Sequence, residues 1–139
     1  MSWLLDADVL SQPAKSRGNA GVIAWIEAHQ DDCYTSSIVI AQLAYWVRNK
    51  TGKRRESLQT WLTRLIEAMQ GRVLGFNVSV AHVWAEQQQL LEKSGQLMPL
   101  EDSYIAAIAR RHGLVVVTGN DKDFTRPGLK LFNPFKDSA

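Results

Sequence analysis

The chain contains 139 residues, of which 45% are hydrophobic and 22% are charged, and this composition fits one compact domain with a single core. Its formal net charge of +2 indicates no particular partner, and no apolar run reaches the roughly 18 residues that span a bilayer. The chain has one cysteine, Cys33. The residues before Asp6 lack the basic stretch and the long apolar stretch that make up a signal peptide. We therefore expect a cytoplasmic protein without an internal disulfide or a membrane anchor.

Short β-type runs alternate with longer helical runs along the chain, which predicts an α/β fold. In the first half we predict a strand at 3–5, a helix from Asn19, a strand at 33–35, a helix from Ser36 or Ser37 to Thr51, and a helix ending at Gly71. In the second half we predict a strand at 73–76, a helix at 79–93, a helix from Pro99 to Gly113, a buried strand at 114–117, and an edge strand at 129–132.

Three acidic residues stand where this pattern predicts burial: Asp6 after the first strand, Asp102 on the core face of a helix, and Asp123 past the fourth strand. A lone buried carboxylate is costly unless it is paired or protonated, so several together indicate a cation. Ligands of parallel sheets bind at the carboxyl ends of the strands, and Mg²⁺ or Mn²⁺ prefers oxygen ligands. Such a metal activates water and neutralises charge on a phosphate, which predicts hydrolysis of a phosphodiester or phosphomonoester.

Each acid also has an ordinary structural role open to it. Asp6 or Asp8 would cap the helix that follows, and Asp102 would be a first-turn acid favoured by the helix dipole. The segment after the fourth strand is rich in residues that are common in turns, namely Thr118, Asn120, Asp121 and Asp123. The metal hypothesis therefore depends on these acids meeting in space.

Four segments, in this order, resemble the PIN-domain ribonucleases, specifically the VapC-like toxins of type II toxin–antitoxin pairs: LLDADVLS, TSSIVIAQLAYWV, PLEDSYIAAIARRHGL and VVVTGNDKDF. The resemblance implies a single domain over 1–139, a three-layer α/β/α sandwich around a mainly parallel sheet of four or five short strands. It also implies a metal-dependent endoribonuclease that cuts tRNA or ribosomal RNA. Such toxins are usually homodimers, held inactive by an antitoxin whose C-terminal segment enters the acidic groove.

The resemblance assigns roles to individual residues of this chain. Asp6, Asp102 and Asp123 match family acids that hold Mg²⁺ or Mn²⁺. The turn residues Thr118 and Asn120, with the neighbouring acids Asp8 and Asp121, would orient the metal-bound water or the scissile phosphate. Ser37 matches a small hydroxyl residue at the start of a helix, where it would touch the phosphate or cap the helix.

Two positions depart from the family pattern. Gln42 stands where relatives usually have Glu, and Asp8 stands where they usually have Asn. A glutamine keeps an oxygen that can bind a metal, but it loses a negative charge and cannot act as a base, so metal affinity and activity should fall. Either Asp8 restores the missing charge, or the chain is a weakened member of the family, natural or disarmed for expression.

Charge and aromatic residues give weaker signals about partners. Between Arg48 and Arg72 the chain has seven basic and two acidic residues, which would track an RNA backbone or form a solvated helical face. Three tryptophans in the middle of the chain would either pack in the core or line a dimer or antitoxin interface, and these are Trp46, Trp61 and Trp84.

Two rival functions use the same residues. LLDADVL also resembles the opening motif of haloacid-dehalogenase-like phosphatases, with Asp6 as a nucleophile, but too little chain remains after VVVTGN for the Lys and the acidic pair that those enzymes need. A degenerate PIN domain would bind antitoxin or RNA without catalysis, and Gln42 is the residue that favours this second alternative.

Overall fold

The structure is a computed structural model in which residues 1–137 are described. Within them, five strands form one sheet in the order β3-β2-β1-β4-β5, and every neighbouring pair is parallel. The strands are β1 Trp3–Leu5, β2 Cys33–Ser36, β3 Val73–Leu74, β4 Val115–Val117 and β5 Leu131–Phe132. The predicted α/β fold with a mainly parallel sheet is thereby confirmed.

Five of the helices match those that the pattern predicted, and the others are short helices that it did not predict. They are α1 Ala7–Leu10, α2 Ala20–His29, α3 Ser37–Arg48, α4 Gly52–Ala68, α5 Val78–Lys93, α6 Leu100–His112, α7 Asp121–Phe124 and α8 Pro134–Asp137. Two turns of 3-10 helix lie at Gln12–Ala14 and Gln30–Asp32. The additional elements are three or four residues long, which is too short for a helical period to emerge from the sequence.

Helices flank the sheet on both sides, as the α/β/α sandwich requires. Trp3 of β1 meets Trp25 of α2 edge to face, with ring centroids 5.1 Å apart, so α2 covers the side of the sheet to which Trp3 contributes. α2 also packs against α8, whereas α3 packs against α1, α4 and α6, and α5 packs against α6. None of the helices in residues 1–137 combines the length and apolar character that a bilayer span requires.

Local chemistry explains where the functional elements begin and end. Val115–Val117 is fully enclosed, as a β-branched run in the middle of a parallel sheet should be. α6 ends at Gly113, whose positive φ of 67° is the left-handed conformation favoured by glycine. The hydroxyl of Ser36 accepts a hydrogen bond from Val39 N and caps α3, so of the two candidate caps Ser36 is the correct one.

Three strands are shorter in the structure than the sequence predicted. The strand predicted at 73–76 ends at Leu74, and Phe76 is exposed. Leu114 N donates to Ala109 O and closes the end of α6 instead of joining β4. Leu129 N donates to Arg126 O in a turn around Gly128, which delays the edge strand to Leu131.

The three tryptophans pack within the chain. Trp46 of α3 and Trp61 of α4 are in edge-to-face contact, with ring centroids 6.3 Å apart. Trp84 of α5 donates its indole N–H to Ser103 Oγ of α6. All three are only partly buried against the core, and their main visible role is to join pairs of helices.

Candidate functional site

Asp6 and Thr118 meet at the carboxyl edge of the sheet, because each directly follows one of two adjacent parallel strands, β1 and β4. Thr118 Oγ1 donates to Asp6 Oδ2 at 2.8 Å, and Ala7 N donates to Asp6 Oδ1 at 2.8 Å. Asp6 also caps α1, so its predicted structural role is real. Asp6 is nevertheless only 7% exposed, and capping alone gives no reason to bury a carboxylate.

The turn after β4 connects Asp6 to Asp123. Thr118 Oγ1, which donates to Asp6, accepts a hydrogen bond from Asn120 N at 3.0 Å. Asn120 Nδ2 then donates to Asp123 Oδ2 at 2.9 Å. Thr118 and Asn120 therefore orient two of the predicted metal-binding acids through direct hydrogen bonds.

Asp8 is held in the same place by a backbone contact that the sequence did not suggest. Gly119 N donates to Asp8 Oδ2 at 2.9 Å, while Asp8 Oδ1 is buried without a donor among the described residues. A Cβ atom at Gly119 would lie 2.9 Å from Asp8 Oδ2 and 2.8 Å from the Phe135 ring. The close approach of Asp8 to the turn therefore requires glycine at position 119.

Gly119→Ala is expected to destabilise the protein by about 1–3 kcal/mol, because either Asp8 or the Phe135 ring has to move. Gly75→Ala is the matched control, since no atom lies within 4 Å of a Cβ at that position. Urea denaturation of both variants checks the prediction, and equal midpoints for the two would contradict it.

Burial raises the pKa of Asp6, Asp8 and Asp102, and neighbouring carboxylates add to the effect at Asp6 and Asp102. Burial raises the pKa of Asp6 to about 6, and the charges of Asp8 and Asp102 add to the effect against the hydrogen bond from Thr118. Burial also raises the pKa of Asp102 to about 6, with contributions from the charges of Asp123, Glu101 and Asp8. The pKa of Asp8 is raised as well, again mainly by burial. Asp102 is therefore an electrostatic neighbour of Asp6, Asp8 and Asp123.

These shifts predict that the metal-free protein becomes more stable as the pH falls from about 7 to about 4. The pKa of Asp6 is about 6 in the folded protein against an ordinary 3.8, so between these values the folded state binds a proton that the unfolded chain does not. Thermal unfolding in EDTA at pH 7.5 and pH 5.0 measures the effect. Saturating Mn²⁺ should weaken or reverse it, and a metal-free protein that is less stable at pH 5.0 would contradict it.

Gln42 contributes a second acceptor without a donor. Its Oε1 atom is buried and unpartnered among the described residues, and it lies on α3, which packs against both α1 and α6. The remaining atom of this kind, Gln88 Oε1, lies on α5. Asp8 Oδ1 is an unpaired acceptor oxygen among carboxylates that repel one another, and this arrangement suits a cation, because a cation satisfies the oxygen and removes the repulsion.

The acids do not form a closed metal cage by themselves. Within residues 1–137, no three His, Cys, Asp or Glu side chains are close enough to hold an ion. Mg²⁺ usually takes only one or two protein carboxylates and keeps several waters. The residues present therefore fit an open, partly hydrated metal site better than a closed structural one.

Two predicted site residues have other surroundings. Ser37 is the exposed first residue of α3, and the cap is Ser36, so of its two expected roles only contact with a phosphate remains open. Asp121 accepts from Lys136 Nζ at 2.8 Å and from Asn133 Nδ2 at 3.2 Å. The hydrogen bond from Lys136 lowers the pKa of Asp121. Asp121 thus helps to attach α8 to the turn that follows β4.

Arg126 is a supporting residue that sequence reasoning missed. Its guanidinium donates to the backbone carbonyls of Gln96 and Leu97, just before α6, and to those of Lys122 and Thr125 in and after α7. α6 contains Asp102 and α7 contains Asp123, so this arginine fixes the two acidic segments relative to each other. Such long-range side-chain to backbone bonds leave no local pattern in the sequence.

A family model described as PIN domain matches residues 3–129. The chain is 33% identical over 136 residues to the VapC ribonuclease Y4jK of Sinorhizobium fredii, covering 96% of this chain and 97% of that protein. It is 32% identical over 137 residues to toxin FitB of Neisseria gonorrhoeae, covering 96% of this chain and 99% of that protein. In the crystal structure of FitAcB from N. gonorrhoeae, the matching chain has a TM-score of 0.90 at 32% identity, covering 96% of this chain and 98% of that chain.

These similarities confirm the resemblance seen in the four sequence segments. The family model spans nearly the whole chain, and two relatives more than 30% identical align over 96% of it. The protein belongs to the PIN-domain family.

Proposed function

We propose that this protein is a metal-dependent endoribonuclease, the toxin of a toxin–antitoxin pair, which hydrolyses phosphodiester bonds of tRNA or ribosomal RNA in the cytoplasm. The observation that carries the proposal is the group of mutually repelling acids at the carboxyl edge of the sheet, of which Asp6 is buried and Asp8 and Asp102 are half-buried, together with the donor-free oxygen Asp8 Oδ1. The names of the Sinorhizobium and gonococcal relatives support RNA as substrate and toxicity as the biological effect.

In this proposal Mg²⁺ or Mn²⁺ binds directly to one or two of the acids Asp6, Asp102 and Asp123 and contacts the remaining acid through its bound waters. Gln42 Oε1 would supply a neutral oxygen. The bound metal would supply a water of lowered pKa and positive charge next to the scissile phosphate. Thr118 keeps Asp6 in place through the 2.8 Å hydrogen bond to Oδ2, and Asn120 does the same for Asp123.

Ser37, exposed at the first position of α3, is available for contact with the phosphate. Asp8 adds negative charge beside Asp6, as its effect on the pKa of Asp6 indicates. Asp121 stays a predicted supporting residue, and its bonds to Asn133 and Lys136 suit support of the turn better than contact with substrate.

The basic stretch between Arg48 and Arg72 offers RNA fewer free charges than its composition suggests. The guanidinium of Arg72 donates to the carbonyls of Gln30, Cys33 and Ala68. Arg54 donates to Ala14 O. We propose that the other, exposed basic side chains of α4, Lys53, Arg55 and Arg64, contribute nonspecific contacts to the RNA backbone.

A cognate antitoxin and a second copy of the chain are the proposed protein partners. The gonococcal structure is one of FitAcB rather than of FitB alone, which supports an antitoxin. Exposed apolar side chains at the start of α5 and α6 support a protein contact of either kind, and they are Phe76, Val78, Leu97 and Leu100. Analytical ultracentrifugation of the isolated chain distinguishes a homodimer from a monomer.

Incubation of the protein with total tRNA and with ribosomal RNA, in Mg²⁺, in Mn²⁺ and in EDTA, tests the proposed function. We expect discrete cleavage products that require the metal and do not appear with Asp102→Asn. Cleavage in EDTA would contradict the metal mechanism. Binding of RNA or antitoxin without cleavage would identify a degenerate PIN domain, and a stable adduct with beryllofluoride and Mg²⁺ would support the phosphatase alternative using Asp6.

A further inference from the structure

A cavity of about 660 Å³ lies between α5, the end of α6 and the segment 127–130 that precedes β5. Its lining is largely aliphatic, with Val83, Leu90, Leu91, Leu114 and Leu129 among its residues. Gly113 and Leu114 line it just before β4, whereas the acidic site follows β1 and β4. The cavity is therefore at the opposite end of the sheet from the acids.

Arg110 lies in the wall of this cavity and has no anionic partner among the residues that the structure describes. It is half-buried, and burial lowers the pKa of its guanidinium. Nε donates to Gln87 Oε1 at 2.8 Å, and Gln87 Nε2 donates to Ser103 O at 3.0 Å. Within residues 1–137, neither terminal nitrogen of Arg110 has a hydrogen-bond acceptor or an ion pair.

The surroundings hold the guanidinium in place but leave its charge uncompensated. Gln87 is 4% exposed and fixes the Nε side. A Cβ atom at Gly128 would lie 3.2 Å from Arg110 Nη1, so glycine makes room for the terminal nitrogens. Lys130 adds a second positive charge to the lining, and Glu86, the one acid there, forms no ion pair within 4.0 Å of either cation among the described residues.

We propose that this cavity binds a small aliphatic carboxylate, whose carboxyl group pairs with the terminal nitrogens of Arg110 while its hydrocarbon chain lies on the leucine and valine side chains. A guanidinium whose two terminal nitrogens are free matches a carboxylate in a bidentate pair. The volume falls within the range of small-molecule sites, which are mostly apolar with few convergent polar groups. An unpaired, partly buried cation is costly, and the ligand removes that cost.

The probe is decanoate, titrated by calorimetry at pH 7.5 below its micelle concentration into the full chain, with decanol as the neutral molecule of equal chain length. We expect saturable binding of decanoate, at least about tenfold tighter than that of decanol. Arg110→Gln should weaken decanoate binding by at least about tenfold, whereas Arg111→Gln, at the exposed neighbouring position on α6, should leave it unchanged.

A second variant decides the matter if Arg110→Gln does not fold. Leu90 lies at the cavity and is 59% exposed, so Leu90→Glu is compatible with folding and places a negative charge beside the proposed carboxylate. It should also weaken decanoate binding. Absence of saturable binding to the wild type, equal affinity for decanol and decanoate, or unchanged affinity in both cavity variants would overturn the proposal.

Discussion

Asp6→Asn is expected to stabilise the metal-free protein while abolishing cleavage. The buried carboxylate has a pKa of about 6, so keeping it ionised at pH 7.5 costs on the order of 3 kcal/mol. Asparagine removes the charge and can keep the hydrogen bond from Ala7 N through Oδ1. Its Nδ2 can donate to Thr118 Oγ1, which reverses the direction of the present bond. We expect the midpoint of thermal unfolding in EDTA to rise by about 5–10 °C.

The same substitution removes a proposed metal ligand, so metal-dependent cleavage should fall by at least about 100-fold. Scanning calorimetry in EDTA and a tRNA cleavage assay in Mn²⁺ give the two measurements. Asp31→Asn, at an exposed position, is the control and should change neither. A destabilised Asp6→Asn protein would contradict the predicted cost of the buried charge. Full activity of the variant would show that Asp6 is not a metal ligand and serves only as the cap of α1.

The position of the acidic site was predictable because it follows from topology. Asp6 ends a short apolar run and Thr118 ends a β-branched one, and the carboxyl ends of parallel strands share one edge of a sheet. Once β1 and β4 are adjacent, their following residues must meet. Asp102 was predictable for a different reason, since its helical spacing to Ile105 and Ala106 placed it on the buried face of α6.

The supporting contacts were not predictable, because they depend on close approaches between distant segments. Gly119 is a turn residue in the sequence, and only its distance to Asp8 and Phe135 shows why glycine is needed there. Ser36 and Ser37 are adjacent residues of the same type, so the sequence did not show at which of them α3 begins. Arg126 carries no signal in the sequence, although its bonds reach carbonyls 29 and 30 residues away.

Gln42→Glu is expected to tighten Mn²⁺ binding by about tenfold, which corresponds to about 1.4 kcal/mol, and to raise RNA cleavage at limiting metal. The new carboxylate would replace a buried oxygen that now has no donor, and it would add charge beside an ion. Without metal the same change should destabilise the protein, since it adds a further anion to the acidic site. Gln89→Glu, on an exposed part of α5, is the control for charge alone.

Calorimetric titration with Mn²⁺ and cleavage assays over a range of Mg²⁺ measure the effect of Gln42→Glu. A cleavage rate that stays unchanged even at saturating Mg²⁺ would count against any role for position 42. Asp8 allows a second test of the same idea, because we propose that it replaces the charge of the missing glutamate, and its Oδ1 has no donor among the described residues. If Asp8 supplies the charge, Asp8→Asn should weaken Mn²⁺ binding, and Asp8→Asn combined with Gln42→Glu should restore it. A double variant as weak as Asp8→Asn alone would show that the two positions do not serve the same ion.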